Sequence, residues 1–172
     1  MLRAAALALL LSVTAGAQPA ADFGTDHPGF QAALEYAIPF GKRIVAPGDT
    51  LVPFGLVITE PGVPNVVQVW DETLTGQEML AMTVHSLRSI SAEGMAGPDG
   101  APRPAIAVAL VLDILTDVPG REGKTDALAV ILEAPDVPEA ASYVLPYVRD
   151  AAGGIRYLDV YWRPQPPMLW AR

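Results

Sequence analysis

The sequence predicts an α+β fold, with two helices on one face of an antiparallel sheet of five to six strands. Three observations predict it. Two segments place apolar residues at helical spacing, and six others read as strands. The segments joining the later strands are too short for parallel crossovers, which need a dozen or more residues. The chain has 172 residues, of which 51% are apolar, 17% charged and none cysteine. That is long enough for one domain with a real core, and too apolar for disorder. With no cysteine the chain has no disulfide, thiolate metal site or thiol nucleophile.

Residues 1–17 read as an export signal rather than as fold. Arg3 gives a positive start, residues 4–11 are an unbroken apolar run, and Ala15-Gly16-Ala17 places small residues before Gln18. The run is shorter than the roughly 20 residues a membrane helix needs. Residues 18–27 then form a leader, 28–163 a single domain and 164–172 a proline-rich tail in which Met168, Leu169 and Trp170 can dock back on the body. A periplasmic or secreted location follows, with no membrane contact after cleavage. The formal charge is −8, and losing Arg3 leaves ten basic against 19 acidic residues, or −9. Such a surface does not attract nucleic acid or anionic lipid. An exported chain without disulfides must be held by packing alone.

Asp26-His27-Pro28 offers a cap and a proline in the first turn. Phe30, Leu34, Ala37 and Ile38 follow at helical spacing, and Pro39 is expected to end this short helix. Residues 51–59 and 66–70 are apolar and β-branched, and Pro61-Gly62 between them suits a type II turn, so they read as a hairpin. Pro53 puts the start of its first strand at an edge or bulge. Thr75 and Glu78 have capping-box spacing. Leu80, Val84 and Leu87 make one stripe of the helix that follows, and Gly94 ends it. Residues 94–104 are punctuated by Gly and Pro and read as irregular loop. Residues 105–115, 126–133, 142–149 and 155–162 read as four strands of a meander.

The meander carries two surface expectations. In residues 105–115 alternation puts Ile106, Val108, Leu110, Leu112 and Ile114 on one face and Ala105, Ala107, Ala109 and Val111 on the other. Residues 127–132 repeat the pattern, so a bulky face should take the helices. The alanine face would then be closely covered or serve as a dimer or partner interface. The loop Ala151-Ala152-Gly153 suits a three-residue hairpin that sets Tyr147 opposite Tyr157 and Tyr143 opposite Tyr161. Four tyrosines on one face would stabilise the two strands or form a recognition surface.

Little in the chain points to catalysis. His27 and His85 are its only histidines, and they lack metal-site spacing. There is no GxSxG, GxGxxG or lysine-bearing phosphate loop. Asp113, Asp117, Glu122 and Asp126 do not match a calcium loop and read as solvated turn acids. Glu133, ending an apolar strand on its alanine face, is the one acid marked out as a possible base, and its strand-end position suggests exposure. No cofactor, metal or catalytic residue is expected.

Three pieces carry a resemblance: Pro53-Phe54-Gly55, Asp126-Ala127 leading to Glu133, and Leu145-Pro146-Tyr147. Together they resemble a set of small bacterial α+β proteins sharing a Pro-Phe-Gly element, an Asp-Ala…Glu strand and a Pro-Tyr strand. The resemblance spans roughly residues 50–160, implies a single fold there, and carries over no catalytic residue. The element order is similar to that of profilin-like and PAS-like domains, with a ketosteroid-isomerase-like cone as the alternative; fold analogy alone assigns no function. The function expected is an exported, non-catalytic domain that binds a protein or ligand, as an inhibitor or immunity-type factor. The alternative is a small-molecule enzyme or carrier with a pocket on the concave side of the sheet. Expressed in a bacterial host, the chain recovered from the periplasm should begin at Gln18 by intact mass; a product retaining residues 1–17 would contradict the export signal.

Overall fold

The computed structural model describes residues 26–46, 50–59 and 63–170. The expected export signal, most of the leader and the Pro61-Gly62 turn therefore lie outside the described residues. No described helix is long and apolar enough to cross a membrane.

Helix α1 (Pro28–Val45) is capped by His27, whose Nδ1 accepts the Gly29 N–H at 3.1 Å. The other ring nitrogen, Nε2, lies 3.2 Å from Asp136 and ties the helix start to a distant turn. The helix does not stop at Pro39. Phe30, Ala33, Ala37, Gly41 and Val45 continue one buried stripe through it. Pro39 itself faces solvent, where water can serve the carbonyl it orphans. Burial of the stripe thus outweighs the roughly 3 kcal/mol a helical proline costs.

Strands β1 (Phe54–Thr59) and β2 (Val63–Val67) form the expected hairpin, but β2 starts earlier than its apolar run suggests, with Val63 opposite Thr59. Helix α2 (Gly76–Glu93) carries the full capping box: Thr75 Oγ1 accepts from Glu78 N–H, and the Glu78 carboxylate accepts from Thr75 N–H at 2.8 Å. The bonds that the Thr75 N–H and then the Thr75 hydroxyl donate to it hold the Glu78 carboxyl below its ordinary pKa. Gly94, at φ 81°, ends the helix. The loop expected to be irregular contains a small hairpin of its own, β3 (Met95–Ala96) against β4 (Pro102–Arg103). Gly97 N–H donates to Ala101 O across it at 2.8 Å, so the Gly/Pro run is a tight turn with two short arms.

The meander follows as β5 (Ala105–Asp117), β6 (Lys124–Glu133), β7 (Ala140–Arg149), β8 (Ile155–Tyr157) and β9 (Tyr161–Gln165). The sheet order is β2-β1-β5-β6-β7-β8, with β9 also on β7, and every pairing is antiparallel. The sheet is curled, so that the Tyr161 hydroxyl donates to the Asp117 carbonyl at 3.1 Å from β5, two strands beyond its neighbour β7.

The class is α+β, as the sequence predicts, but the helices lie on opposite faces. Helix α1 packs with Phe54, Leu56, Ile58, Ala107, Ala109 and Leu128. The α2 residues Leu80, Val84 and Leu87 pack with Val57, Val108 and Leu110 on the reverse side. The alanine faces of β5 and β6 are not shared either. Ala109 stands opposite Leu132, and Leu112 opposite Ala129. Each face therefore sets small residues of one strand beside large residues of the next. The β5 alanines Ala107 and Ala109 are fully buried beside α1.

Glycines fix how close the helices come. A Cβ on Gly41 of α1 would lie 3.1 Å from Leu128, and one on Gly55 would lie 2.7 Å from the fully buried Leu87. Gly55→Ala should therefore force α2 off the sheet and lower the unfolding free energy by about 1–3 kcal/mol in urea titrations. A change below about 0.5 kcal/mol would contradict this packing.

Candidate functional site

The final hairpin brings together most, but not all, of the tyrosines singled out by sequence. Gly153 adopts φ 84°, Asp150 N–H donates to Gly154 O across the loop at 2.9 Å, and the Asp150 carbonyl accepts from Gly153 N–H at 3.0 Å. Tyr147 faces Tyr157 as expected. The next pairs do not follow. Leu158 N–H donates to Pro146 O, yet Tyr161 lies opposite Val144 and Trp162 opposite Tyr143. Asp159 and Val160 thus oppose the single residue Leu145, a bulge that shifts the register by one. Tyr161 is turned to the other face, and Trp162 takes its place in an edge-to-face contact with Tyr143 at 5.2 Å.

This aromatic face belongs to the core. Tyr147 is buried, tilted against Tyr157 at 6.0 Å, with the Arg149 guanidinium 5.5 Å from its ring centre. Its hydroxyl donates to Asp113 Oδ1 at 2.9 Å. Burial first, then the Asp113 charge and that bond, push the Tyr147 pKa well above the tyrosine range. A phenol held protonated in this way is a donor, not a base. Asp113 is raised too, chiefly by burial and secondarily by Asp126; the Tyr147 bond and Arg149 oppose the shift. Burial also raises Tyr143 and Tyr157. Lys42 Nζ sits 4.5 Å over the Tyr157 ring, and Arg149 donates to Val45 O at 2.8 Å, pinning the end of α1 to β7. Arg149 is thus a hydrogen-bonded strut between helix and sheet, and the Tyr147–Asp113 bond is one between β7 and β5. Asp113 was legible only as a turn acid, although it interrupts the apolar run of β5, which is the signal that its neighbours on that face are special.

Glu133 departs furthest from expectation. It is 1% exposed rather than solvated. Its Oε1 accepts the backbone N–H groups of Met168 at 2.6 Å and Leu169 at 2.8 Å, and its Oε2 accepts that of Trp170 at 2.9 Å. Three consecutive amides of the tail thus converge on one carboxylate. Arg88 Nε on α2 donates to Met168 O at 2.6 Å, and Ser91 Oγ, which donates to Arg88 O at 2.9 Å, lies 3.4 Å from Leu169 O. Leu169 is fully buried among Val108, Leu110, Ile131 and Leu87. Sequence reading placed Glu133 on the correct face of β6 but missed its partners, which lie 35 to 37 residues away. A carboxylate so engaged is a clamp on the tail backbone.

The pieces of the resemblance also find places. Ala127 pairs with Pro146 and Asp126 with Tyr147, so two of the three are direct cross-strand neighbours. Phe54 meets Phe40 of α1 edge-on at 5.1 Å. Two open clefts flank the sheet. One of about 450 Å³ lies between the end of α2, Pro102, Pro104 and Trp170; the other, of about 410 Å³, lies between the β5–β6 turn and the β8–β9 bulge. Among the described residues, histidine and acidic side chains gather into no group of three or more able to hold a metal ion. No protein-family model, curated protein or solved structure matches the chain.

Replacing Glu133 by glutamine would set an amide N–H₂ against at least one tail N–H. Hydrogen bonds to a charged group contribute about 1.5–3 kcal/mol, so Glu133→Gln should lower the unfolding free energy by that order. Urea titration reads this directly, and an unchanged midpoint would refute the clamp.

Proposed function

We propose that the chain is an exported, non-catalytic interaction domain that meets a protein partner along the β2 edge of its sheet. The observation that carries this reading is where apolar surface remains. The central part of each sheet face is covered, one by α1 and the other by α2 with the tail, while Leu115 and Val160 are exposed at the far end of the sheet. Yet Val63, Val66 and Trp70 are 57%, 48% and 63% exposed within eight residues of one another. An edge strand presents unpaired backbone groups, and an exposed tryptophan beside it is a common anchor of binding energy. Pro64 removes one donor from this edge, which limits open-ended strand pairing while leaving the stretch toward Trp70 available. The net charge of −8 favours a basic partner, as an inhibitor or immunity-type factor would meet. Export rests on the positive start, apolar run and small residues before Gln18.

Trp70→Ala combined with Val66→Lys should weaken capture of a periplasmic partner at least about tenfold, the scale of a lost anchor residue. The unfolding free energy from urea titration should stay within about 0.5 kcal/mol of the parent chain, because both side chains are exposed. Undiminished capture by the folded double variant would overturn the reading.

A further inference from the structure

The segment from Met168 to Trp170 is bound the way a ligand is bound. Its three amides go to Glu133, its Met168 carbonyl accepts from Arg88, and its central side chain fills an apolar slot. It adds no strand to the sheet, because β9 ends at Gln165. Pro166 and Pro167, both exposed, separate β9 from it as an extended spacer without amide donors. Among the described residues, the polar contacts of the three residues beyond that spacer end on α2, on Glu133 or, through the Met168 sulfur, on Gln165.

We infer that the groove between α2 and Glu133 is a peptide-binding site, that residues 168–170 are its ligand in cis, and that it accepts the same segment from a second copy of the chain. The recognised chemistry is an extended peptide offering three successive N–H groups to a carboxylate and a leucine to the slot formed by Val108, Leu110, Ile131 and Leu87. Residues 168–170 are the part that would enter the groove in trans, and the flanking stretch 163–170 carries one arginine and no acid toward a chain of net charge −8. The cis segment competes with any such guest at the effective concentration its spacer allows, which is of millimolar order for short linkers. The groove is distinct from the β2 edge, and its occupancy does not depend on the function proposed for that edge.

The test uses the full chain, labelled with ¹⁵N, and an amidated synthetic peptide of residues 163–170. In a Leu169→Ala chain, whose own segment is weakened, the peptide should move the amide signals of Arg88, Ile131 and Glu133. It should bind at least about tenfold more tightly than to the parent chain, which retains the cis competitor. The same peptide carrying Leu169→Ala should not bind, and adding Glu133→Gln to the chain should weaken binding at least about tenfold, the loss of one charged hydrogen bond. Should Leu169→Ala fail to fold, a Met168→Pro chain, which lacks a single donor, replaces it. A folded variant that ignores the peptide would overturn the inference. So would equal binding of a scrambled peptide, or failure of both variants to fold, each of which would make the segment a fixed part of the core rather than a ligand.

Discussion

One buried carboxylate sets the architecture of an entire face. Glu133 ends β6 on the side of the sheet that α1 does not cover, and α2 covers only the β1–β5 half of that side. Left alone there, an ionised group would cost several kcal/mol of lost hydration. Its charge is instead met by three backbone dipoles from residues 168–170. The arrangement works in both directions. The tail satisfies the acid, and the acid fixes the tail where Leu169 can seal Val108, Leu110 and Ile131 from water. A neutral side chain at this position could not accept three donors, so the sheet would lose its cover along with the bonds.

The other face depends on fit rather than charge. Ala33, Ala37 and Gly41 make the contact stripe of α1 small, which brings the helix axis close to the sheet. The sheet answers with Ala107 and Ala109 flanked by Leu56, Leu128 and Leu132. Small meets large in both directions, along strands and between layers, which is how a core reaches native density without a disulfide. The hydrogen-bonded struts then fix the helix ends. His27 joins the start of α1 to Asp136, and Arg149 joins its last turn to β7 while lying over the Tyr147 ring. Tyr157 remains with a buried hydroxyl that has no hydrogen-bond partner among the described residues, a polar flaw in an otherwise matched layer.

What could be read in the sequence was local. The Thr75–Glu78 box, the Ala151–Gly153 hairpin and the alternation in β5 and β6 each depend on residues a few positions apart, and each is where the pattern puts it. What could not be read depends on distant partners. Pro39 looks like a stop until the buried stripe on both sides of it is seen to continue. Both faces of β5 and β6 are apolar, so alternation could not say which helix goes where, nor that the alanines of one strand sit beside the leucines of the next. The bulge at Asp159-Val160 carries no glycine or proline, and it moved Tyr161 out of the aromatic face. Glu133 gave only its face; its burial is decided by amides that any tail residue would possess.

A central claim joins these points: the tail is part of the folded unit because Glu133 holds its backbone. Amide hydrogen exchange of Met168, Leu169 and Trp170 in the unmodified chain tests it most directly. If the carboxylate holds all three, their exchange should be slowed at least about a hundredfold relative to unstructured chain, although no strand pairing protects them. Exchange of these three amides at unstructured rates, with β5, β6 and β7 still protected, would contradict it.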